Sequence, residues 1–362
     1  MWLLADLRKG EPSVPSFDSI PVIDVGALAG SGPAPAALAD RLATTCHEIG
    51  FFVAVGHGVD PAVVTDVFDL MHRFFALPEP SRRLIDKQAS PHFRGWEPVG
   101  SEFTNNRTDF REQVDLWSEW PVHDCPPDSP TRYLRLLGPN QWLPDAVLPG
   151  HRAISLRWMR ELGALADRVL GALAIGLGLR HDHFRQLFGP MPMSLSKFIR
   201  YPPTPAGEAG VNAHHDAGLL TVLAPGPTPG LQVRNHEGSW IDVPQVADGF
   251  VINLGEVLQA MTGNYLVATP HRVITRAERY SAAFFCGPSL DVSLAPLPLN
   301  PRFAAAVAGS AHHASAGFMA LREETERGVG DMASATRPGT YGEQLWNYFA
   351  RSYPAQMARF HG

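Results

Sequence analysis

Two histidines and one aspartate in the second half of the chain have the types and spacing to hold a metal ion. The run Val211-Asn-Ala-His214-His215-Asp216 leads into a β-rich stretch. In a strand, residues two apart share a face, so His214 and Asp216 converge while His215 turns away. His271, in Thr269-Pro-His-Arg-Val273, opens a later β-type run 57 residues on. Two neutral imidazoles and one carboxylate form a facial donor set suited to Fe(II), with the remaining positions open to other ligands. The His-x-Asp pattern alone carries little weight. With 15 histidines in 362 residues, about one such pattern is expected by chance. Context carries more: Arg279-Tyr-Ser281 follows His271 by eight residues and precedes the apolar run Ala282-Ala-Phe-Phe285. Arg279 and Ser281 share a strand face, so a guanidinium and a hydroxyl point inward together. A planar guanidinium captures a carboxylate through two parallel hydrogen bonds, for which lysine is a poor substitute.

These residues need a β scaffold, and the chain supplies one. Between Ser194 and Ser289, short β-type runs are punctuated by Pro and Gly. The clearest are Leu219–Leu223, Leu231–Val233, Trp240–Val243, Phe250–Leu254, Arg272–Thr275 and Ser281–Phe285. Many short strands at close spacing predict a sandwich or barrel. Upstream, residues 1–19 read as a loose leader and Ile20–Asp24 as a strand. Apolar spacing predicts a helix over Ala36–Glu48, stopped by Gly50, then a strand over Phe51–Val55. Asp60-Pro61 is an N-cap followed by Pro at the first helical position, opening a helix to about Phe75. Its expected buried stripe is Val64, Val67/Phe68, Met71 and Phe74/Phe75. Residues 89–145 read as turn-rich, a long amphipathic helix is expected over His151–Leu179, and residues 301–362 return to helix. Helices thus flank a mainly β core within one domain.

Composition narrows the function. The chain has 30 Lys+Arg against 36 Asp+Glu, a net charge of −6, which argues against a basic nucleic-acid-binding face. Only three of its basic residues are lysines (Lys9, Lys87 and Lys197), and none follows a glycine, so no Walker phosphate loop is present. Three distant cysteines suggest neither a disulfide framework nor a zinc site. The opening residues reach Asp6 and Arg8 before an apolar run develops, and Val169–Leu179 is only 11 residues, too short to span a bilayer. A cytoplasmic protein with no membrane partner is expected.

Taken in order, the motifs resemble the isopenicillin N synthase-like family of non-haem iron, 2-oxoglutarate-dependent oxygenases. The match runs through Ile20–Asp24, Gly50-Phe-Phe-Val-Ala-Val-Gly-His57, Gly138-Pro-Asn-Gln-Trp142 and Tyr201-Pro-Pro-Thr-Pro205. It continues through His214-His-Asp216, Gly218-Leu-Leu-Thr221, Gly230-Leu-Gln-Val233, Asn253-Leu-Gly255, His271-Arg-Val273 and Arg279-Tyr-Ser281. The resemblance implies a double-stranded β-helix, a cupin-like jelly-roll. The whole chain would be one oxygenase domain, with an N-terminal region over 20–125, the catalytic core over 194–290 and a helical cover over 301–362. By the same resemblance, His214, Asp216 and His271 are catalytic and bind Fe(II), with O2 and 2-oxoglutarate as cosubstrates. Arg279 and Ser281 would hold the distal carboxylate of 2-oxoglutarate, with Tyr201 donating a further hydrogen bond. The chain carries Ile199 where many relatives have Asn. An alternative is an oxidase of the isopenicillin N synthase type, which needs no 2-oxoglutarate; a remoter one is a non-catalytic metal-binding barrel.

The expected substrate is a small organic molecule, with hydroxylation, desaturation or ring formation as possible outcomes. Phe93, Arg94 and Trp96 are candidate substrate contacts, because the equivalent stretch in relatives reaches the barrel mouth. An Arg- and Ala-rich, Lys-poor chain suggests a high-GC bacterial source and secondary metabolism, including antibiotic biosynthesis. Other histidines read as ordinary: His181 and His183 flank Asp182, an expected N-cap, and His312-His313 lies in an Ala/Ser-rich stretch expected to be solvated. The sequence leaves the oligomeric state open.

Overall fold

Among the described residues, twelve strands assemble into two sheets whose inner faces pack together. The computed structural model describes residues 16–30, 32–104, 107–310, 312–313 and 339–362. Residues 1–15 of the expected leader and 314–338 of the expected helical tail lie outside the described residues. The strands are β1 (Val22–Asp24), β2 (Phe51–Val55), β3 (Gly95–Glu97), β4 (Phe103–Thr104), β5 (Arg107–Thr108), β6 (Glu112–Trp117) and β7 (Leu195–Tyr201). They continue with β8 (Val211–His214), β9 (Leu220–Ala224), β10 (Leu231–Arg234), β11 (Trp240–Asp242), β12 (Phe250–Leu254), β13 (His271–Val273) and β14 (Arg279–Cys286). The larger sheet has the order β1-β2-β12-β9-β14-β7-β6-β3, and the smaller β11-β10-β13-β8. Phe51, Val251 and Ile199 of the larger sheet pack against Val211, Leu231 and Val273 of the smaller. This is the expected double-stranded β-helix.

The helices are α1 (Ala36–Glu48), α2 (Pro61–Ala76), α3 (Glu79–Arg82), α4 (His151–Gly176), α5 (Glu256–Met261), α6 (Pro301–Ala308), α7 (Tyr341–Ser352) and α8 (Pro354–His361). None described is long and apolar enough to cross a membrane. The long α4 lays Leu162, Leu165 and Val169 in the same core as Phe198, Val222 and Phe284 of the larger sheet. Asp60 caps α2 by accepting from the Ala62 amide at 2.9 Å, with Pro61 at the first position. The buried stripe of α2 is rotated from the expected one: Val63 and Leu70 are buried, whereas Val64 and Phe68 are only half-buried. Thr340 and Glu343 form a reciprocal capping box at the start of α7.

Two local expectations change. The turn-rich stretch contains β6, every residue of which is buried. Polar and apolar residues alternate unevenly along its Glu-Gln-Val-Asp-Leu-Trp run. In the structure both faces are covered: Val114 and Leu116 enter the hydrophobic core, while Asp115 and Trp117 line an internal cavity. His312 and His313 are not solvated either. His313 is buried and stacks on His47 with ring centroids 4.1 Å apart, and His312 stacks on His236 at 3.6 Å. The His313 ring also meets the Ser310 hydroxyl at 2.7 Å and the His47 carbonyl at 2.9 Å.

Burial, with some repulsion between neighbouring rings, lowers His312 and His313 to about 4. Burial likewise lowers His92 and His151 to about 4. Below the ordinary histidine pKa of about 6.5 the unfolded chain takes up protons at these rings that the folded chain refuses until about pH 4. Stability present above that window is therefore lost as pH falls through it. Calorimetry of the metal-free protein should show Tm falling steadily from pH 6.5 to 4.5, and a flat profile would contradict the neutral buried rings.

Candidate active site

His214 ends β8 and His271 opens β13, and the antiparallel pairing of these strands sets the two residues directly opposite each other. Their ring centroids are 4.3 Å apart. Asp216 lies two residues beyond the end of β8, so it is the turn after the strand, not strand alternation, that returns its carboxylate to the imidazoles. Asp216 Oδ1 is 3.7 Å from His214 Nε2 and 3.6 Å from His271 Nε2. Among the described residues this is the one cluster of three such side chains able to hold a metal, with its ligand atoms within 4.8 Å of one another. His215 points elsewhere, toward Glu256 at 3.7 Å.

The hydrogen bonds behind the triad define its protonation. Nδ1 of His214 faces the Asn212 carbonyl at 2.8 Å, and Nδ1 of His271 faces the Thr269 carbonyl at 3.1 Å. A carbonyl only accepts, so each Nδ1 carries the proton and each Nε2 lone pair is free to bind a cation. Burial, with the His271 ring alongside, pushes His214 down to about 3, so it is neutral at physiological pH. For Asp216 burial works against the charge. The Thr221 hydroxyl donates to the carboxylate and favours the ionised form. Its outer oxygen, Oδ2, accepts from the Thr221 hydroxyl at 2.5 Å and the Asn253 amide at 2.6 Å. Both residues belong to motifs read from the sequence, but neither role was legible there, because a polar residue in a strand looks the same whichever partner it meets. Next to them, a Cβ on Gly255 would stand 2.1 Å from the Gly218 carbonyl oxygen, and at the start of α5 the Glu256 amide donates to the Asp216 carbonyl at 2.8 Å.

Arg279 and Ser281 share one face of β14, and both are buried. Across the sheet, Tyr201 of β7 pairs with Arg279, and its ring lies 4.9 Å from the guanidinium carbon. The Tyr201 and Ser281 hydroxyls are 3.5 Å apart. Arg279 Nε donates to the Thr228 carbonyl at 3.2 Å, while Nη1 is buried without a partner among the described residues. Burial lowers its pKa, and the Tyr201 hydroxyl opposes that shift in part.

Beside the triad lies a cavity of about 90 Å³ lined by charged residues absent from the sequence-based site: Lys87, Arg111, Asp115 and Lys197. Its apolar wall includes Trp117, Phe285, Tyr348 and Phe349. The usable sequence signal was compositional, since two of only three lysines stand here. The expected substrate contacts are elsewhere. Phe93 is buried one layer back, stacked on Phe349 with centroids 4.0 Å apart. Arg94 is buried and spends its guanidinium on the carbonyls of His92, Leu136 and Ser118. Trp96 donates to Glu112 at 3.0 Å beneath the Arg82 guanidinium. All three are packing residues: the loop's aromatic and cationic side chains find partners inside the wall, and none lines the cavity. Around His181 and His183, Asp182 pairs with Arg180 instead of capping, and no third ligand joins them among the described residues.

Comparison with known proteins matches this geometry to a class. Residues 190–288 match the 2OG-Fe(II) oxygenase superfamily, and residues 20–145 match the family described as non-haem dioxygenase in morphine synthesis N-terminal. The 2-oxoglutarate-dependent dioxygenase frbJ of Dothideomycetidae sp. (strain 11243) is 35% identical over 288 residues, covering 77% of this chain and 76% of the relative. A full-length Neurospora crassa protein in complex with alpha-KG superposes with a TM-score of 0.66 at 22% identity, over 79% of this chain and 91% of the other. A 2OG-Fe(II) oxygenase family protein from Caulobacter crescentus gives a TM-score of 0.66 at 26% identity, over 78% and 90%. The chain belongs to the 2OG-Fe(II) oxygenase superfamily and is a 2-oxoglutarate-dependent dioxygenase, with iron as its metal and 2-oxoglutarate and O2 as cosubstrates.

Removing the donors behind Asp216 should weaken the metal site without touching a ligand. Thr221→Val and Asn253→Leu are each expected to lower Fe(II) affinity by about 10–100-fold. Anaerobic Fe(II) titration measures this, and unchanged affinity in both variants would show that the Asp216 carboxylate is oriented by other means.

Proposed function

We propose that His214, Asp216 and His271 hold Fe(II), and that Arg279, aided by Ser281 and Tyr201, binds the distal carboxylate of 2-oxoglutarate. The observation that carries this reading is Arg279: a buried guanidinium with an unpartnered nitrogen, backed by an aromatic ring and a hydroxyl pair. A carboxylate supplies the missing charge and fits the guanidinium fork. The donor set of the triad fits a divalent metal equally well, with two bare Nε2 atoms and one ionised carboxylate.

When bound, iron and 2-oxoglutarate together reduce O2, releasing CO2 and succinate and oxidising the substrate. The protein's part is to hold the components in a dry, ordered setting. Asp216 offsets part of the metal's charge, and Thr221 and Asn253 fix which of its oxygens faces inward. The two backbone carbonyls keep the imidazoles neutral and aimed. Arg279 gives the cosubstrate one orientation, and the apolar cavity wall excludes water from the reacting centre.

The same reading makes the chain one oxygenase domain, with an N-terminal region over 20–125, a core over 194–290 and a helical cover over 301–362. Its substrate is a small organic molecule undergoing hydroxylation, desaturation or ring formation. The excess of arginine over lysine supports a high-GC bacterial source, and within it a role in secondary metabolism, in the form of antibiotic biosynthesis, is part of the proposal. Three free cysteines, Cys46, Cys125 and Cys286, support a reducing, cytoplasmic setting.

Anaerobic addition of 2-oxoglutarate to the Fe(II) protein should produce a metal-to-ligand charge-transfer band, and aerobic turnover should yield succinate. Asp216→Ala should abolish both. Arg279→Lys should weaken 2-oxoglutarate binding by about tenfold or more, because one ammonium replaces two charge-assisted bonds. Full oxidation activity in Asp216→Ala, or an unaltered cosubstrate requirement in Arg279→Lys, would falsify the assignment.

A further inference from the structure

The cavity beside the triad has an uneven wall. Apart from the metal-site residues, its charged lining consists of three cations, Lys87, Arg111 and Lys197, and one carboxylate, Asp115. Strand register explains the grouping. Lys197 of β7 pairs with Asp115 of β6, and Leu195 pairs with Trp117, so alternate residues of both strands face inward. Arg111, just before β6, continues the same alternation.

The three cations are not equally committed. Lys87 Nζ spends its three hydrogens on Glu97 at 2.9 Å, Asp115 at 2.7 Å and the Tyr353 hydroxyl at 2.8 Å. Lys197 meets both Asp115 oxygens, at 2.9 and 3.0 Å, and Glu102 at 3.4 Å. Arg111 differs. Both of its carboxylate contacts, Glu102 at 2.5 Å and Asp109 at 3.3 Å, run through Nη2. Its Nε is buried with no partner among the described residues. Burial works against the charge on Arg111, and Glu102 and Asp109 more than offset it. Both act at Nη2, so the buried Nε hydrogen stays unsatisfied. Desolvating one edge of a guanidinium without pairing it is costly, and an incoming anion offsets that cost.

We infer that the cavity selects an organic acid as substrate, its carboxylate held by Arg111 with Lys197 beside it. The carbon frame then lies among Trp117, Phe285 and Phe349, next to His214 and Asp216. This rests on the assignment of the triad and Arg279 made above, and it goes further by naming the class of substrate and the residue that anchors it.

Isothermal titration of the anaerobic Fe(II)–2-oxoglutarate protein tests the inference with three matched probes: phenylacetate, phenylacetamide and benzylamine. Phenylacetate should bind about tenfold more tightly than the amide, as expected for one charge-assisted pair, and benzylamine more weakly still. Arg111→Gln should abolish the preference for acid over amide, and Arg111→Lys should retain part of it. Equal binding of acid and amide, tighter binding of the amine, or no acid binding at millimolar concentration would each overturn the inference. So would an Arg111→Gln variant that keeps the acid preference but loses 2-oxoglutarate affinity, since Arg111 would then serve the cosubstrate. The charge-transfer band keeps the two readings apart. Its absence from the wild-type protein sinks the cosubstrate assignment, whereas its presence without acid selectivity sinks only the inference about the cavity.

Discussion

One ionised carboxylate inside the barrel sets the terms for everything around it. Asp216 is almost fully buried, and a buried charge without partners costs several kcal/mol, on the order of the whole stability of a domain. The fold meets that cost locally. Thr221 reaches the outer oxygen from β9 and Asn253 from β12, while the inner oxygen faces the two imidazoles. Those donors come from neighbouring strands of the larger sheet, and the histidines come from facing strands of the smaller one. The site therefore exists only when both sheets are formed and packed. Removing a donor leaves a charge with fewer partners, so stability and the proposed metal binding are coupled through the same hydrogen bonds.

A second buried network surrounds the cavity and works under the same constraint. Lys87, Lys197 and Arg111 are interleaved with Glu97, Glu102, Asp109 and Asp115, and Gln113 bridges Glu97 and Glu102. Burial alone would raise Glu102; Arg111 and the two lysines override it and keep the group ionised, well below the usual carboxylate range. Such a network fixes side-chain positions more than it adds stability, because desolvation cancels much of the attraction. Rigidity of this kind is useful beside a reactive centre, where a displaced substrate reacts at the wrong atom. It also explains why β6 tolerates charged residues while wholly buried: each meets an opposite charge inside the wall.

Membership of the superfamily and the proposed choice of substrate are carried by different parts of the molecule. The triad lies in the loop and strands of the jelly-roll core, within the matched residues 190–288. The cavity draws on that core too, through Lys197 and Phe285, but also on β6 and on α7, which supplies Tyr348 and Phe349. Phe93 contributes indirectly, by stacking behind Phe349 and holding that ring in place. The cavity is thus assembled from segments far apart in the chain, each of which has an ordinary packing role when considered alone.

The spacing of His214, Asp216, His271, Arg279 and Ser281 was legible in the sequence, as were α1, α2, most of the β core and the class of fold. Those features are local: strand alternation, a capping residue and apolar periodicity act over a few residues, and the ordered motifs add the family. What only the tertiary structure decided were the relations between strands. That Thr221 and Asn253 meet on Asp216, that β6 is buried on both faces, and that His312 and His313 stack on His236 and His47 depend on register and packing across long separations. The candidate contacts at Phe93, Arg94 and Trp96 went astray for the same reason. An aromatic or cationic side chain in a loop can face a cavity or a wall, and the choice is made by the partners that folding brings within reach. The lysines show both sides of this. Their scarcity was visible from composition, but only the pairing of β6 with β7, and the turn that carries Lys87 to Asp115, turned two of the three into the wall of one cavity.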